Sequence, residues 1–108
     1  AYPLELASGR VSGPGRSNTD LCDYTRHPAS GAYLPGFQVP FWPALTACVY
    51  RAMDRVPGMG YVGWDIVVTP TGPVLVEGNW GAGVFENKPT ASGIRHGHLP
   101  RYRAAMGW

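Results

Sequence analysis

Lysine is nearly missing from this chain, occurring only at Lys88, and the arginines are scattered rather than run together. That excludes a polybasic patch for nucleic acid or for an anionic membrane surface. Long apolar runs are also missing, and no charged-then-apolar leader is visible, so the expectation is a soluble, cytoplasmic protein. Cysteine is limited to Cys22 and Cys48, which lack metal-ligand spacing; free thiols are expected of them in an intracellular setting. At 108 residues the chain can bury a modest core but cannot house a two-lobed enzyme. Gly 15 and Pro 11 are abundant instead, so much of the chain must be loop.

The stretch that organises the rest is Tyr61 to Trp80, YVGWDIVVTPTGPVLVEGNW. Two β-branched, apolar runs flank Pro70-Thr71-Gly72, which predicts a hairpin. A three-residue loop with Gly72 in the left-handed region would pair Thr69 with Pro73. Carried back along the ladder, that register sets Asp65 opposite Glu77 and Gly63 opposite Asn79, all on one face. Val67 and Leu75 fall on the same face. Val62, Trp64, Ile66, Val68, Val74, Val76 and Trp80 then form the apolar face.

Opposed residues in a sheet have Cβ atoms roughly 4.5–5.5 Å apart, and like charges so placed destabilise it. A positive group between Asp65 and Glu77 resolves the conflict. Two carboxylates and an amide carbonyl are hard oxygen ligands, suited to Mg²⁺ or Mn²⁺ rather than zinc. The plainer alternative is a solvated acidic sheet face with Asn79 as a turn residue.

Gly63-Trp64-Asp65-Ile66, Gly72-Pro73 and Glu77-Gly78-Asn79 resemble the carboxy-terminal signature of ATP-grasp ligases. The chain is most similar to the sugar-transfer-associated ATP-grasp group, whose members also carry segments like Arg26-His27-Pro28 and Gly36 to Trp42. The resemblance spans about Arg26 to Asn79. It implies an α+β fold, an antiparallel sheet with a helix on one face, like the carboxy-terminal subdomain of ATP-grasp. Residues 1–25 would be a loop-rich segment and residues 26–108 a partial subdomain. It further implies that Asp65, Glu77 and Asn79 are the metal-binding and catalytic residues, that Val67 and Arg26 contact the nucleotide, and that Mg²⁺ (or Mn²⁺) and ATP are the cofactors. The activity implied is that of a carboxylate ligase acting through an acyl phosphate, with a carboxylate substrate and a second lobe or protein chain as partners. The competing reading is a non-catalytic fragment or remnant that serves as a binding or assembly module.

Along the rest of the chain, residues 1–26 lack any sustained period and predict a loop or frayed terminus. Arg26 to Pro40 predicts one or two short strands with turns. Arg26 is suited to clamping a phosphate or carboxylate, or is an ordinary exposed arginine. Trp42, Leu45, Val49, Ala52 and Val56 recur at helical spacing, with Pro43 in the first turn and Pro57-Gly58 as the stop, predicting a helix over 42–56 that covers the hairpin. Beyond Asn79, residues 84–97 have no clear period; His96 and His98 form a weak metal-like pair, and Arg95 and Lys88 add positive charge. Residues 99–108 predict a terminal helical turn.

Overall fold

A computed structural model describes residues 1–17, 19–82 and 99–107, with residues 99–102 described by their backbone only. The described chain packs as two compact units, residues 1–39 and residues 40–82 with 99–107.

The first unit is loop-rich but ordered by turns rather than by periodic strands. Strands β1 (Gly15–Arg16) and β2 (Asp23–Tyr24) pair antiparallel, and isolated bridges join Leu4 to Val11, Arg10 to Gln38 and Arg26 to Tyr33. Val11 is at the centre: it is the one buried apolar residue among those described, donates its N–H to Phe37 O at 2.9 Å and accepts from Gly36 N at 2.7 Å. A frayed amino terminus is therefore corrected to a segment held by backbone bridges, which leave no periodic trace in the side chains. Between residues 26 and 40 only bridges form, in place of the expected strands.

Polar side chains close the turn between β1 and β2. Tyr24 Oη donates to Asp20 Oδ2 at 2.5 Å, and the Cys22 N–H donates to Asp20 Oδ1 at 3.0 Å. The Tyr24 hydrogen bond first, and the Cys22 amide after it, hold the Asp20 carboxyl at about 2, below its ordinary 3.8. Asp20 in turn pushes the Tyr24 phenol above 10.0. A depressed carboxylate stabilises the fold fully above its ordinary value, and that contribution drains away as pH falls from 3.8 toward about 2. The raised phenol acts in the opposite sense, stabilising below its ordinary value and failing as pH climbs past it. Asp20→Asn should abolish the acid-side loss and bring the Tyr24 titration back down, both readable by a pH titration of the Tyr24 ring resonances.

The second unit contains helix α1 (Trp42–Met53), strands β3 (Gly63–Thr69) and β4 (Gly72–Asn79), and helix α2 (Leu99–Met106). Pro43 occupies the first turn of α1 as expected, and Phe41 enters it with φ 56°. The anticipated stripe Trp42, Leu45, Val49, Ala52 and Val56 is the half-buried one, while Arg51 and Arg55 are exposed. Helix α1 packs against β4. It ends three residues early, because Val56 precedes Pro57 and is biased out of the helical region. The last carbonyls are taken up by tighter turns, Arg55 N to Ala52 O and Val56 N to Met53 O, each 3.1 Å.

The hairpin differs from expectation at its tip. Thr69 pairs with Gly72, not Pro73, so the connection is the two-residue Pro70-Thr71, with Gly72 at φ 132°. The Thr69 hydroxyl closes the turn by donating to Gly72 O at 2.8 Å. This moves the ladder by one: Val68 meets Pro73, Val67 meets Val74 and Ile66 meets Leu75. A bulge then inserts Val76 without a partner, and the pairs Asp65–Glu77, Trp64–Gly78 and Gly63–Asn79 return to the expected register. Two faces change as a result. Leu75 joins Ile66 on the shielded face, whereas Val74 is 51% and Val76 60% exposed. Trp80, expected on the apolar face, is 79% exposed.

Candidate acidic site on the hairpin

The bulge determines where the acids meet. Without Val76 as an extra residue, the two-residue turn would set Asp65 opposite the wrong neighbour and send Glu77 to the other face. With it, Asp65 and Glu77 are directly paired. Asn79 Nδ2 donates to Asp65 Oδ2 at 3.1 Å and to Glu77 Oε1 at 3.3 Å. Two carboxylate oxygens from two strands therefore converge on one donor.

Glycines frame this corner by allowing close approach. A Cβ on Gly78 would lie 2.6 Å from Trp64 Cζ3 and 3.1 Å from Val62 Cγ1, so the Trp64 ring rests on the bare backbone opposite it. A Cβ on Gly63 would collide with the Ala82 methyl, which closes the strand end beside Asn79. Trp64 thus covers the Gly78 backbone on the shielded side of the ladder, and Ala82 packs over Gly63 at the strand end.

The amide is neutral, so it satisfies hydrogen bonds without cancelling charge. Among the described residues no cationic side chain pairs with Asp65 or Glu77; the ion pair found there is Arg16 with Asp23. No cluster of three or more His, Cys, Asp or Glu suited to a metal occurs among the described residues. A divalent ion at this corner would therefore rest on two carboxylates, the Asn79 amide and water. That donor set fits Mg²⁺ or Mn²⁺, which bind a few protein oxygens and keep several waters. All three side chains are exposed, leaving room for those waters.

The other candidates separate. Val67 shares the acidic face and is 53% exposed. Arg26 belongs to the first unit, where its Nη1 donates to Gly31 O at 2.9 Å and its guanidinium lies 5.7 Å from the Tyr33 ring centre. His27 Nδ1 accepts from the Ala29 and Ser30 amides at 3.3 and 3.4 Å, a turn-capping role. Cys22 and Cys48 are both free. Lys88, Arg95, His96, His98 and the aperiodic stretch 84–97 lie outside the described residues.

Residues 3–97 match the family described as sugar-transfer associated ATP-grasp. The chain belongs to that family. The match begins well before Arg26 and continues past Asn79, so the loop-rich first unit falls within the family's extent as much as the hairpin does. No curated protein and no solved structure matches the chain. Among the described residues no helix of this ATP-grasp-related chain is long and apolar enough to cross a membrane.

Proposed function

We propose that the hairpin is the metal-binding end of a Mg-ATP site in a carboxylate ligase that works through an acyl phosphate. In that reaction a carboxylate oxygen attacks the terminal phosphorus, ADP leaves, and a nucleophile then displaces phosphate from the acyl carbon. The observation that supports it is the convergence of Asp65 Oδ2 and Glu77 Oε1 on Asn79. A divalent ion held there would offset charge on the transferring phosphoryl group. Asp65 and Glu77 supply fixed negative charge to hold that end of the site. Asn79 keeps the two carboxylates at one spacing, and its amide can present oxygen instead of nitrogen by a half-turn of its terminal bond. Val67, exposed on the same face, offers an apolar surface for the adenine. Phosphoryl transfer depends on positioning the triphosphate as well as the metal, so a second lobe or another chain would provide the phosphate cradle.

The alternative, a binding or assembly module without catalysis, draws on the same amide: Asn79 satisfies both carboxylates with no cation at all. Calorimetric titration with ATP separates the two. Weak binding that needs Mg²⁺, disappears with a chelator and is lost in Glu77→Gln is the expected result. ATP binding indifferent to both the chelator and Glu77→Gln would contradict it.

A further inference from the structure

We propose that Trp64 and Gly78 are positioning residues, whose contact across the ladder selects the bulged register of the hairpin and so brings Asp65, Glu77 and Asn79 together. The inference rests on the metal-site reading for what those three side chains bind. Trp64 pairs directly with Gly78, and the pairs on either side of it are Asp65–Glu77 and Gly63–Asn79. The contact therefore stands between the two pairs that build the site.

Two registers compete along this half of the hairpin. Counted one to one from the Thr69–Gly72 turn, without an extra residue, the ladder would oppose Asp65 to Val76, Trp64 to Glu77 and Gly63 to Gly78. Direct partners share a face, so Glu77 would then lie with Trp64 on the shielded side, away from Asp65. The observed register instead leaves Val76 unpaired, which disrupts the ladder locally and calls for a compensating contact beyond the bulge. Trp64 seated on Gly78 is that contact.

A glycine inside a strand weakens it, and it is found where another group must approach the backbone closely. Gly78 does not take a positive φ, so its backbone conformation is open to any residue. The requirement for glycine comes from its neighbours: an added Cβ would lie 2.6 Å from Trp64 Cζ3, 2.9 Å from Trp64 Cε3 and 3.1 Å from Val62 Cγ1. Gly78 is also the one glycine of β4 beyond the turn, so a flat ring on β3 finds this seat at a single register. Side chains alternate along a strand, so placing Trp64 over Gly78 sends Asp65, Glu77 and Asn79 to the opposite face, where all three are exposed. In the unbulged register the indole would meet the Glu77 side chain instead, pressing a carboxylate against an apolar ring. Pinning register by an aromatic ring on a strand glycine is the same device that designed sheets use.

The test compares Gly78→Ala, Trp64→Ala and Trp64→Phe with the parent in the full chain, by cross-strand proton contacts in NMR and by Mn²⁺ binding in electron paramagnetic resonance. The Val67–Val74 contact, on the turn side of the bulge, is common to both registers and verifies that each hairpin is folded. Trp64→Phe, which keeps an aromatic ring for the glycine, should retain the Asp65–Glu77 contact and bind Mn²⁺ as the parent does. Gly78→Ala, which removes no apolar group and no ligand, should lose that contact and weaken Mn²⁺ binding about 10- to 100-fold, the range for residues that orient metal ligands. Trp64→Ala should do the same without adding a Cβ, and it decides the matter where Gly78→Ala does not fold. The proposal is overturned if folded Gly78→Ala or Trp64→Ala keeps the Asp65–Glu77 contact, or if folded Trp64→Phe loses it. Mn²⁺ uptake that is absent from the parent, or unchanged in a variant whose register has shifted, overturns the metal reading and leaves the register result standing.

Discussion

Leu75→Asn should destabilise the hairpin unit by about 2–4 kcal/mol, while Val74→Asn, one residue away, should cost under about 1 kcal/mol. Leu75 faces the shielded side with Ile66, so an amide there replaces apolar contact by a polar group with few partners. Val74 is 51% exposed and pairs with Val67 on the open face, where an amide stays hydrated. Asparagine suits a strand poorly at either position, so that penalty is common to both and the difference reports facing alone. A three-residue loop with no bulge predicts the opposite order. Chemical denaturation of the two variants decides between them: a more stable Leu75→Asn than Val74→Asn would mean that the bulge at Val76 is wrong. Ile66→Asp, on the shielded side of β3, should be more damaging than either, because it brings a charge rather than an amide out of water.

The hairpin, helix α1 and the grouping of Asp65, Glu77 and Asn79 are legible because period-two and helical patterns constrain them on both sides of a recognisable turn. The bulge is not, because an alternating pattern counts residues from the turn and cannot register an unpaired one. Two displacements, a turn one residue shorter and an insertion at Val76, cancel beyond Leu75; the acidic pairing is therefore as read while Leu75 and Val74 exchange faces. In the first unit the order comes from Asp20, Ser17 and His27 binding nearby amides, and from Val11 between Gly36 and Phe37. Such contacts join residues with no repeating spacing, so they leave no periodic signature. The cue that remained was compositional: Ser, Asp and Asn beside glycine are turn formers with side chains that bond the backbone.

Asn79→Asp carries the other large effect, and its sign depends on metal. Three carboxylates at the corner repel one another, and the bridging donor is gone, so without divalent ions the variant should lose about 1 kcal/mol or somewhat more. With Mn²⁺ or Mg²⁺ the third carboxylate becomes a third anionic ligand, and the order reverses. Binding to the folded state alone stabilises it in proportion to the logarithm of saturation, about 2.7 kcal/mol when the ion exceeds its dissociation constant a hundredfold. A merely solvated acidic face would gain far less, since screening of exposed charges does not require a particular ligand set.

Thermal unfolding of the chain, recorded with millimolar Mn²⁺ and with a chelator at equal ionic strength, tests directly whether Asp65, Glu77 and Asn79 form one cation site. The parent midpoint should rise with Mn²⁺, the rise should shrink in Asp65→Asn and in Glu77→Gln, and Asn79→Asp should start lower yet rise further than the parent. A parent midpoint that ignores Mn²⁺, or an equal rise in all four proteins, would contradict a shared metal site at this corner of the hairpin.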